Sequence, residues 1–181
     1  MLPTSVVRGR RNPLYLGLPS RLKKARQNLS FDSVAHAAGL SDGNTIFQLE
    51  RKQGHVPRLD TVERVAYALG LSPAFLAYGI EAEASQPSAG WRCEGVASRL
   101  RETRTARGLT MRALARAAGL TDTAVRSTET GTSMPSIATV EALAVALGVS
   151  PAWLAYGLGP MELPSRRRKA ATPEPDHDLT A

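Results

Sequence analysis

Apolar residues recur three and four positions apart between residues 96 and 156, in short blocks separated by turn residues. This spacing is typical of amphipathic helices that bury one face. Five blocks of this kind follow one another, so the pattern predicts five short helices in this part of the chain. Their apolar positions are Val96, Leu100 and Thr103; Leu114, Ala115 and Ala118; Val125 and Thr128; Ile137, Val140, Leu143, Ala144 and Leu147; and Trp153, Leu154 and Tyr156.

The residues between the blocks predict where the helices begin and end. Thr110 and Thr121 stand where N-cap side chains accept a hydrogen bond from a free backbone amide. Gly119 can adopt the left-handed backbone that ends a helix. Ser150 followed by Pro151 predicts the start of the last helix, because proline is tolerated at the first helical position.

The same pattern occurs earlier in the chain as an internal repeat. The stretch "LSPAFLAYG" at Leu71–Gly79 returns as "VSPAWLAYG" at Val149–Gly157, 78 positions later (149 − 71). Similarly, "LSFDSVAHAAGLSD" at residues 29–42 matches "LTMRALARAAGLTD" at residues 109–122. The small changes in offset fall at predicted helix junctions, where loops absorb insertions. We therefore predict an all-α chain with two tandem five-helix domains, in which Phe75, Leu76 and Tyr78 pack like their second-copy counterparts.

The repeat and the composition between its copies divide the chain. We expect a basic N-terminal arm at residues 1–17, domains at residues 18–80 and 91–160, and a linker at residues 81–90 whose sequence "EAEASQPSAG" is rich in Ala, Ser, Pro and Gly. Trp91 is expected to fasten the linker to a domain. Residues 161–181 are expected to be a disordered tail, first basic and then acidic.

The net positive charge of the chain indicates the kind of partner that it binds. The formal net charge is +7 and the sequence pI is about 10.2, which favours a polyanion, and double-stranded DNA before a membrane. Cys93 stands alone and can form no internal disulfide. The N-terminal sequence has no apolar signal region and no apolar run approaches about 18 residues, so we expect no membrane association and a cytoplasmic, nucleoid-associated protein.

Catalytic chemistry is not indicated. The three histidines, His36, His55 and His177, are isolated, and Cys93 has no partner at metal-ligand spacing. There is also no glycine loop of the kind that binds phosphates. We expect no enzyme activity, no cofactor and no metal.

The sequence "AAGL", at residues 37–40 and 117–120, is the most informative turn. A small residue, a glycine and an apolar residue allow two helices to meet at a steep angle, as in a helix-turn-helix whose second helix enters the DNA major groove. Both copies resemble the Cro/phage-repressor-like, or XRE, helix-turn-helix family with its lambda-repressor-like fold. The matching residues are the "AAGL" turns, Arg26 and Arg104, Ile46 and Val125, Glu50 and Glu129, and Pro57 and Pro135.

The resemblance implies roles for some of these residues. It implies that the third helix of each copy reads DNA and that the helix-one arginine pairs with the glutamate ending helix three, as Arg26–Glu50 and Arg104–Glu129. The chain departs from the family at the first residue of helix two, where Phe31 and Met111 replace the usual glutamine. The copies also differ from each other after helix three, where "RKQGH" follows Glu50 and "TGTSM" follows Glu129, and at the residue before that glutamate, which is Leu49 in one copy and Thr128 in the other.

Candidate DNA-contacting residues lie on the outward side of each third helix and just after it. Asparagine and glutamine can bond adenine, an apolar ring can contact a thymine methyl group, and arginine suits guanine. Phe47 could instead pack against its own domain or contact a protein. Asp122 is expected to stabilise a helix N-terminus. The candidates are Asn44, Thr45, Phe47, Gln48, Arg51 and Lys52, with His55 also suited to phosphate, in the first copy, and Thr123, Arg126 and Ser127 in the second.

Further basic residues leave several interpretations open. Arginines 99, 101, 104, 107, 112 and 116 could follow phosphates, bind a partner or only improve solubility. The clusters at residues 8–11 and 166–169 could enter a minor groove or act as solubilising tails.

Two classes of function remain at this point. In the first, the chain is a DNA-binding transcriptional regulator whose two domains act as a pseudo-dimer, with third helices about 34 Å apart. In the second, it is a protein-interaction adaptor or assembly factor, in which one or both domains bind a protein or self-associate. For the second domain, the stretch around Trp153 and Tyr156 would be the interface.

Overall fold

The computed structural model describes residues 13–51, 56–83 and 90–162. The regular secondary structure of these residues consists of helices, and it includes no β-strand. The predicted all-helical fold is thus confirmed for the described part of the chain. The helices are α1 (Leu18–Arg26), α2 (Phe31–Ala37), α3 (Asn44–Glu50), α4 (Leu59–Ala68), α5 (Pro73–Tyr78), α6 (Val96–Ala106), α7 (Met111–Ala118), α8 (Asp122–Glu129), α9 (Ile137–Leu147) and α10 (Pro151–Tyr156). We call α1–α5 the first half and α6–α10 the second half.

A short 3-10 turn precedes each half, at Leu14–Gly17 and at Arg92–Gly95. The first turn lies within the segment that the sequence predicts to be a basic arm. The arginines of that arm, at positions 8, 10 and 11, and the basic cluster at 166–169 lie outside the described residues.

The helix boundaries follow the local sequence signals. The side chains of Thr110 and Thr121 accept hydrogen bonds from the amides of Ala113 and Ala124, at 3.1 and 3.2 Å. Gly119 ends α7 in the left-handed conformation, with φ of 68°. Ser150 occupies the cap position of α10 without a capping side-chain bond, and Pro151 follows as the first helical residue. The predicted caps at Thr110 and Thr121 are thus confirmed.

Most of the apolar positions predicted from the sequence form the core of each half, whereas Phe75, Ala118 and Trp153 are only half-buried. Leu22, Ile46 and Val62 are fully buried in the first half, and Leu100 and Val125 are fully buried in the second. Because aromatic residues are few, small aliphatic side chains fill most of this interior. Thr128 is also buried, and its hydroxyl donates to the carbonyl of Ala124 at 2.8 Å.

The two halves pack against each other through α5 and α10. The buried hydroxyl of Tyr78, on α5, donates to the carbonyl of Ile137 in the second half at 3.1 Å. The buried hydroxyl of Tyr156, on α10, donates to the carbonyl of Leu59 in the first half at 3.4 Å. Burial raises the pKa of both phenols well above the usual value, so both remain neutral donors.

The segments before α4 and α9 also pair across this interface. The amide of Leu59 donates to the carbonyl of Pro135, and the amide of Ile137 donates to the carbonyl of Pro57, both at 3.0 Å. Arg58 and Ser136 form an isolated antiparallel bridge at the same place. Backbone groups that would otherwise be unpaired at two helix starts are therefore satisfied by the opposite half.

Each 3-10 turn contacts the opposite half through a buried glutamate. The amides of Leu14 and Tyr15 donate to the carboxylate of Glu141, on α9, at 2.7 and 3.0 Å. The first two amides of the second turn donate to the carboxylate of Glu63, on α4, both at 2.9 Å. Glu63 is 0% exposed and Glu141 is 4% exposed. Two amide donors offset the cost of burying each carboxylate.

Each half also contains one arginine that joins its 3-10 turn to its last helix. Arg21 donates from Nε to the carbonyl of Leu76 at 2.9 Å and from Nη2 to that of Ala77 at 2.7 Å and that of Leu14 at 3.1 Å. Arg99 makes the corresponding three bonds in the second half. Burial lowers the pKa of both guanidinium groups from the usual value. Both arginines cap a helix C-terminus.

These contacts have one feature in common: each has a counterpart with the two halves exchanged. The offset between the paired residues is 78, as for Glu63 and Glu141 or Tyr78 and Tyr156. Reciprocal contacts of this kind define the isologous interface of a twofold-symmetric dimer. Here both partners belong to one chain, and the interface around Tyr156 is internal to it.

Candidate nucleic-acid interface

The "AAGL" turns join α2 to α3 and α7 to α8. Gly39 and Gly119 have φ of 64° and 68°, the left-handed conformation that favours glycine. The next amide, of Leu40 or Leu120, donates to a carbonyl of the preceding helix at 2.9 Å in both cases. This pattern closes the helix end and directs the chain into the following helix. Each half therefore contains two helices joined by a tight glycine turn.

An ion pair holds each third helix to the first helix of its half. Arg26 Nε lies 2.5 Å from Glu50 Oε1, and Arg104 Nε lies 2.6 Å from Glu129 Oε1. The hydrogen bond to the glutamate raises the pKa of each arginine. Arg104 also donates to the carbonyl of Leu109 at 2.7 Å. The pairs implied by the family resemblance are present, and they join α3 and α8 to the first helix of their half.

In the first half, the polar candidates lie along the outer side of α3. Asn44 and Arg51 are exposed, while Thr45 and Gln48 are half-buried. Gln48 Nε2 donates to Asn44 Oδ1 at 3.4 Å, so these amides are adjacent on one helix face. Lys52 and His55 lie outside the described residues.

Phe47 combines two of the roles considered for it. Its ring packs edge-on against Phe31, with centroids 5.6 Å apart, yet the residue remains 38% exposed. The guanidinium of Arg51 lies 5.2 Å from the Phe47 ring, and that of Arg26 lies 4.3 Å from the Phe31 ring. The side chain is thus supported from its own domain and still presents an apolar surface on α3.

In the second half, α8 carries a different set of side chains. Thr123 and Arg126 are exposed, and Ser127 is half-buried with its hydroxyl donating to the carbonyl of Ala124 at 3.2 Å. Asp122 is the first residue of α8, where a negative charge stabilises the helix N-terminus. Arg126 is thus the exposed cation of this helix.

The start of the third helix also differs between the halves. α3 begins at Asn44, after Gly43, whose amide donates to Asp32 Oδ1 at 2.9 Å. A Cβ atom at Gly43 would lie 2.8 Å from the amide nitrogen of Asp32, which is too close. Glycine is therefore required for this approach of α3 to α2, and it shortens α3 by one residue relative to α8.

The basic residues of the second half separate into two groups. Arg99 and Arg104 are used in the internal contacts described above, and Arg101 Nη2 donates to the carbonyl of Glu129 at 2.7 Å. Arg107, Arg112 and Arg116 are exposed. The sequence could not separate these groups, because the partners of Arg99 lie 55 and 56 positions away.

The described residues contain neither a membrane-spanning helix nor a cluster of metal-binding side chains. None of the helices there is long and apolar enough to cross a membrane. No group of three or more His, Cys, Asp or Glu residues within the described ranges could hold a metal ion. Burial, followed by the hydrogen bond to Glu63, raises the pKa of the Cys93 thiol, which stays protonated at neutral pH.

Comparison with known proteins gives one family. A helix-turn-helix family model matches residues 100–154, from within α6 to within α10. The match supports a helix-turn-helix protein of the Cro/C1, or XRE, type and points to DNA as its partner. Searches of curated proteins and of solved structures found no match.

Proposed function

We propose that the chain is a sequence-specific DNA-binding transcriptional regulator in which both halves are helix-turn-helix domains and together form one covalent pseudo-dimer. The observation that carries this proposal is the reciprocal interface between the halves, which holds α3 and α8 in a fixed relation. Dimeric helix-turn-helix proteins place two recognition helices in successive major grooves about 34 Å apart. One chain of this protein would then occupy two adjacent half-sites.

In the first half, Asn44 and Gln48 would bond adenine edges, and Phe47 would contact a thymine methyl group. Thr45 would lie beside them, and Arg51 with Lys52 would contact phosphates. The adjacency of the two amides and the partial exposure of Phe47 support this assignment.

In the second half, Arg126 would bond guanine, while Thr123 and Ser127 would contact bases or phosphates nearby. Because its reading helix carries different side chains from α3, the two half-sites would differ. The preferred DNA would therefore be non-palindromic. The exposed Arg107 and Arg112 would add sequence-independent attraction to phosphates.

The proposal is tested by selecting bound duplexes from a random DNA pool with the full chain. Binding to the selected site and to a scrambled duplex is then compared by fluorescence anisotropy at about 150 mM salt, where specific sites are typically bound about 10³-fold more tightly or better. We expect one non-palindromic consensus. Equal and salt-sensitive binding to both duplexes would reduce the interaction to charge alone and reject the proposal.

The alternative is an adaptor in which the second half binds a protein. It is favoured by the exposed, uncharged loop after α8, Thr130–Ser133, which offers nothing to a phosphate by charge. Under this alternative the full chain would select no DNA consensus. Mutation of Thr132 and Ser133 to arginine would abolish capture of the partner, while the same variants would leave a DNA regulator able to bind its site.

A further inference from the structure

A surface cavity of about 450 Å³ lies beside α7 and α9 in the second half. This volume is within the range of about 300–1,000 Å³ that is usual for small-molecule sites. Its lining includes Pro13, Tyr15, Arg116, Ala142 and Val145. None of these residues is a candidate DNA reader, and none belongs to the recognition helix α8.

The corresponding place in the first half is filled. There the indole of Trp91 stacks on the ring of Tyr67, with centroids 6.3 Å apart and planes at 25°. The guanidinium of Arg64 lies 5.6 Å from the Trp91 ring. This stack fastens the segment after the linker to α4, as expected for Trp91.

The approximate twofold symmetry relates the cavity to this stack. At the offset of 78, the counterparts of Trp91, Arg64 and Tyr67 are Pro13, Ala142 and Val145. All three line the cavity. The cavity thus lies where Trp91, Arg64 and Tyr67 have smaller counterparts, while Tyr15, which also lines it, is larger than its counterpart Cys93. In the first half, the corresponding place accommodates the flat indole ring of Trp91.

A charged group stands beside this space. Arg116, on α7, is exposed, and its side chain makes no hydrogen bond or ion pair with another residue in the part of the chain that the structure describes. The cavity also contains Glu141, but both oxygens of that carboxylate accept backbone amides of the first 3-10 turn. Arg116 is therefore the group available to a ligand, and a guanidinium binds a carboxylate with two parallel hydrogen bonds.

We propose that this cavity binds a small planar aromatic carboxylate. The ring occupies the place that the indole of Trp91 fills in the first half, against Pro13, Ala142 and Val145. The carboxylate lies at the mouth and accepts hydrogen bonds from Arg116. This site is separate from the reading faces of α3 and α8, and it does not depend on the proposed DNA binding.

The test is isothermal titration calorimetry of the full chain with indole-3-acetate as the probe. We expect one saturable site per chain. Arg116→Gln should weaken binding about tenfold or more, because a hydrogen-bonded charge partner is lost. His36→Gln, the change at the counterpart position of the first half, is the matched control and should leave the affinity unchanged.

A second variant tests the location of the ring. Val145→Tyr places the first half's own side chain in the cavity and should abolish binding; Ala142→Leu serves the same purpose if that variant fails to fold by circular dichroism. Absence of a heat of binding up to about 1 mM probe, or equal affinity in the wild type and all these variants, would overturn the proposal. Equal binding of uncharged indole and the acid would overturn the assignment of a carboxylate.

Discussion

The two halves of this chain agree at most of the contacts between them and differ on the outer faces of α3 and α8. The stack of Trp91 on Tyr67 is the exception, because its counterparts are Pro13 and Val145. At the interface, Glu63 and Glu141 accept the same pair of amides from the opposite half. On the recognition helices, Phe47 of α3 stands where α8 has Arg126.

The fold constrains the residues at the interface between the halves more strongly than those on the outer helix faces. An interface between two copies of one fold closes only if both copies present compatible groups, so substitutions there carry a structural cost on both sides. An outward helix face has no such requirement. The two faces can therefore take up different chemistry without loss of stability, as an asymmetric DNA site would demand.

The largest effect is expected from removing the buried glutamates. Glu63→Ala or Glu141→Ala leaves two partly or fully buried amides without acceptors, and we expect each to lower the free energy of unfolding by about 3 kcal/mol. Similar losses would confirm that the two sites are equivalent. Urea denaturation measures the change, with exposed Glu102→Ala as the control. If only one of the two substitutions lowered the free energy of unfolding, the two glutamates would not be equivalent.

The next largest effect is expected on DNA binding, from substitutions on α3 and α8, which are proposed to contact different half-sites. Asn44→Ala and Arg126→Ala should each weaken binding to the selected DNA by about 1–3 kcal/mol, because each removes a proposed base contact. In a second round of selection, each variant should relax the consensus in one half-site and leave the other intact. Arg107→Ala should instead weaken binding to all sequences equally. Relaxation at both half-sites by one substitution would contradict the division of roles.

A smaller effect is expected at the paired tyrosines. Tyr78→Phe and Tyr156→Phe each remove one buried hydrogen bond across the interface, and about 1 kcal/mol of stability. The bond of Tyr78 is the shorter, at 3.1 Å against 3.4 Å, so its removal should cost more. Thermal unfolding followed by circular dichroism compares the two variants. No change for either one would mean that the hydroxyls do not join the halves.

The smallest effect is expected from the aromatic pair that distinguishes α3. Phe47→Ala loses the edge-on contact with Phe31, and we expect stability to fall by about 0.5–1 kcal/mol. Arg126→Ala, at the counterpart position, should change stability by no more than about 0.5 kcal/mol, because that side chain is exposed. Urea denaturation separates the two. Equal stability of both variants would show that the Phe31 contact is not stabilising.

Much of the local structure could be predicted from the sequence. The caps at Thr110 and Thr121 and the glycine turn at Gly119 depend on neighbouring residues, so short patterns were sufficient to find them. The pairs Arg26–Glu50 and Arg104–Glu129 came from the family resemblance. The candidate reading residues that the structure describes lie on or just after α3 and α8, as the repeat suggested.

The contacts between the halves could not be predicted in the same way. Glu141 contacts Leu14, 127 positions earlier, and no local pattern marks a glutamate on an apolar helix as an acceptor for distant amides. Trp91 and Tyr67 are likewise far apart in sequence. The internal repeat was the one available signal, because a repeat able to pair with itself places equivalent residues in reciprocal contacts, and the residues of these contacts share the offset of 78.

The most direct test of the central claim is a hydroxyl-radical footprint of the full chain on its selected DNA, with one chain bound per duplex as measured by light scattering. For a covalent pseudo-dimer we expect two protected segments on one face of the duplex, centred about 34 Å apart and different in sequence. One protected segment per chain, or two segments only when two chains are bound, would contradict the covalent pseudo-dimer.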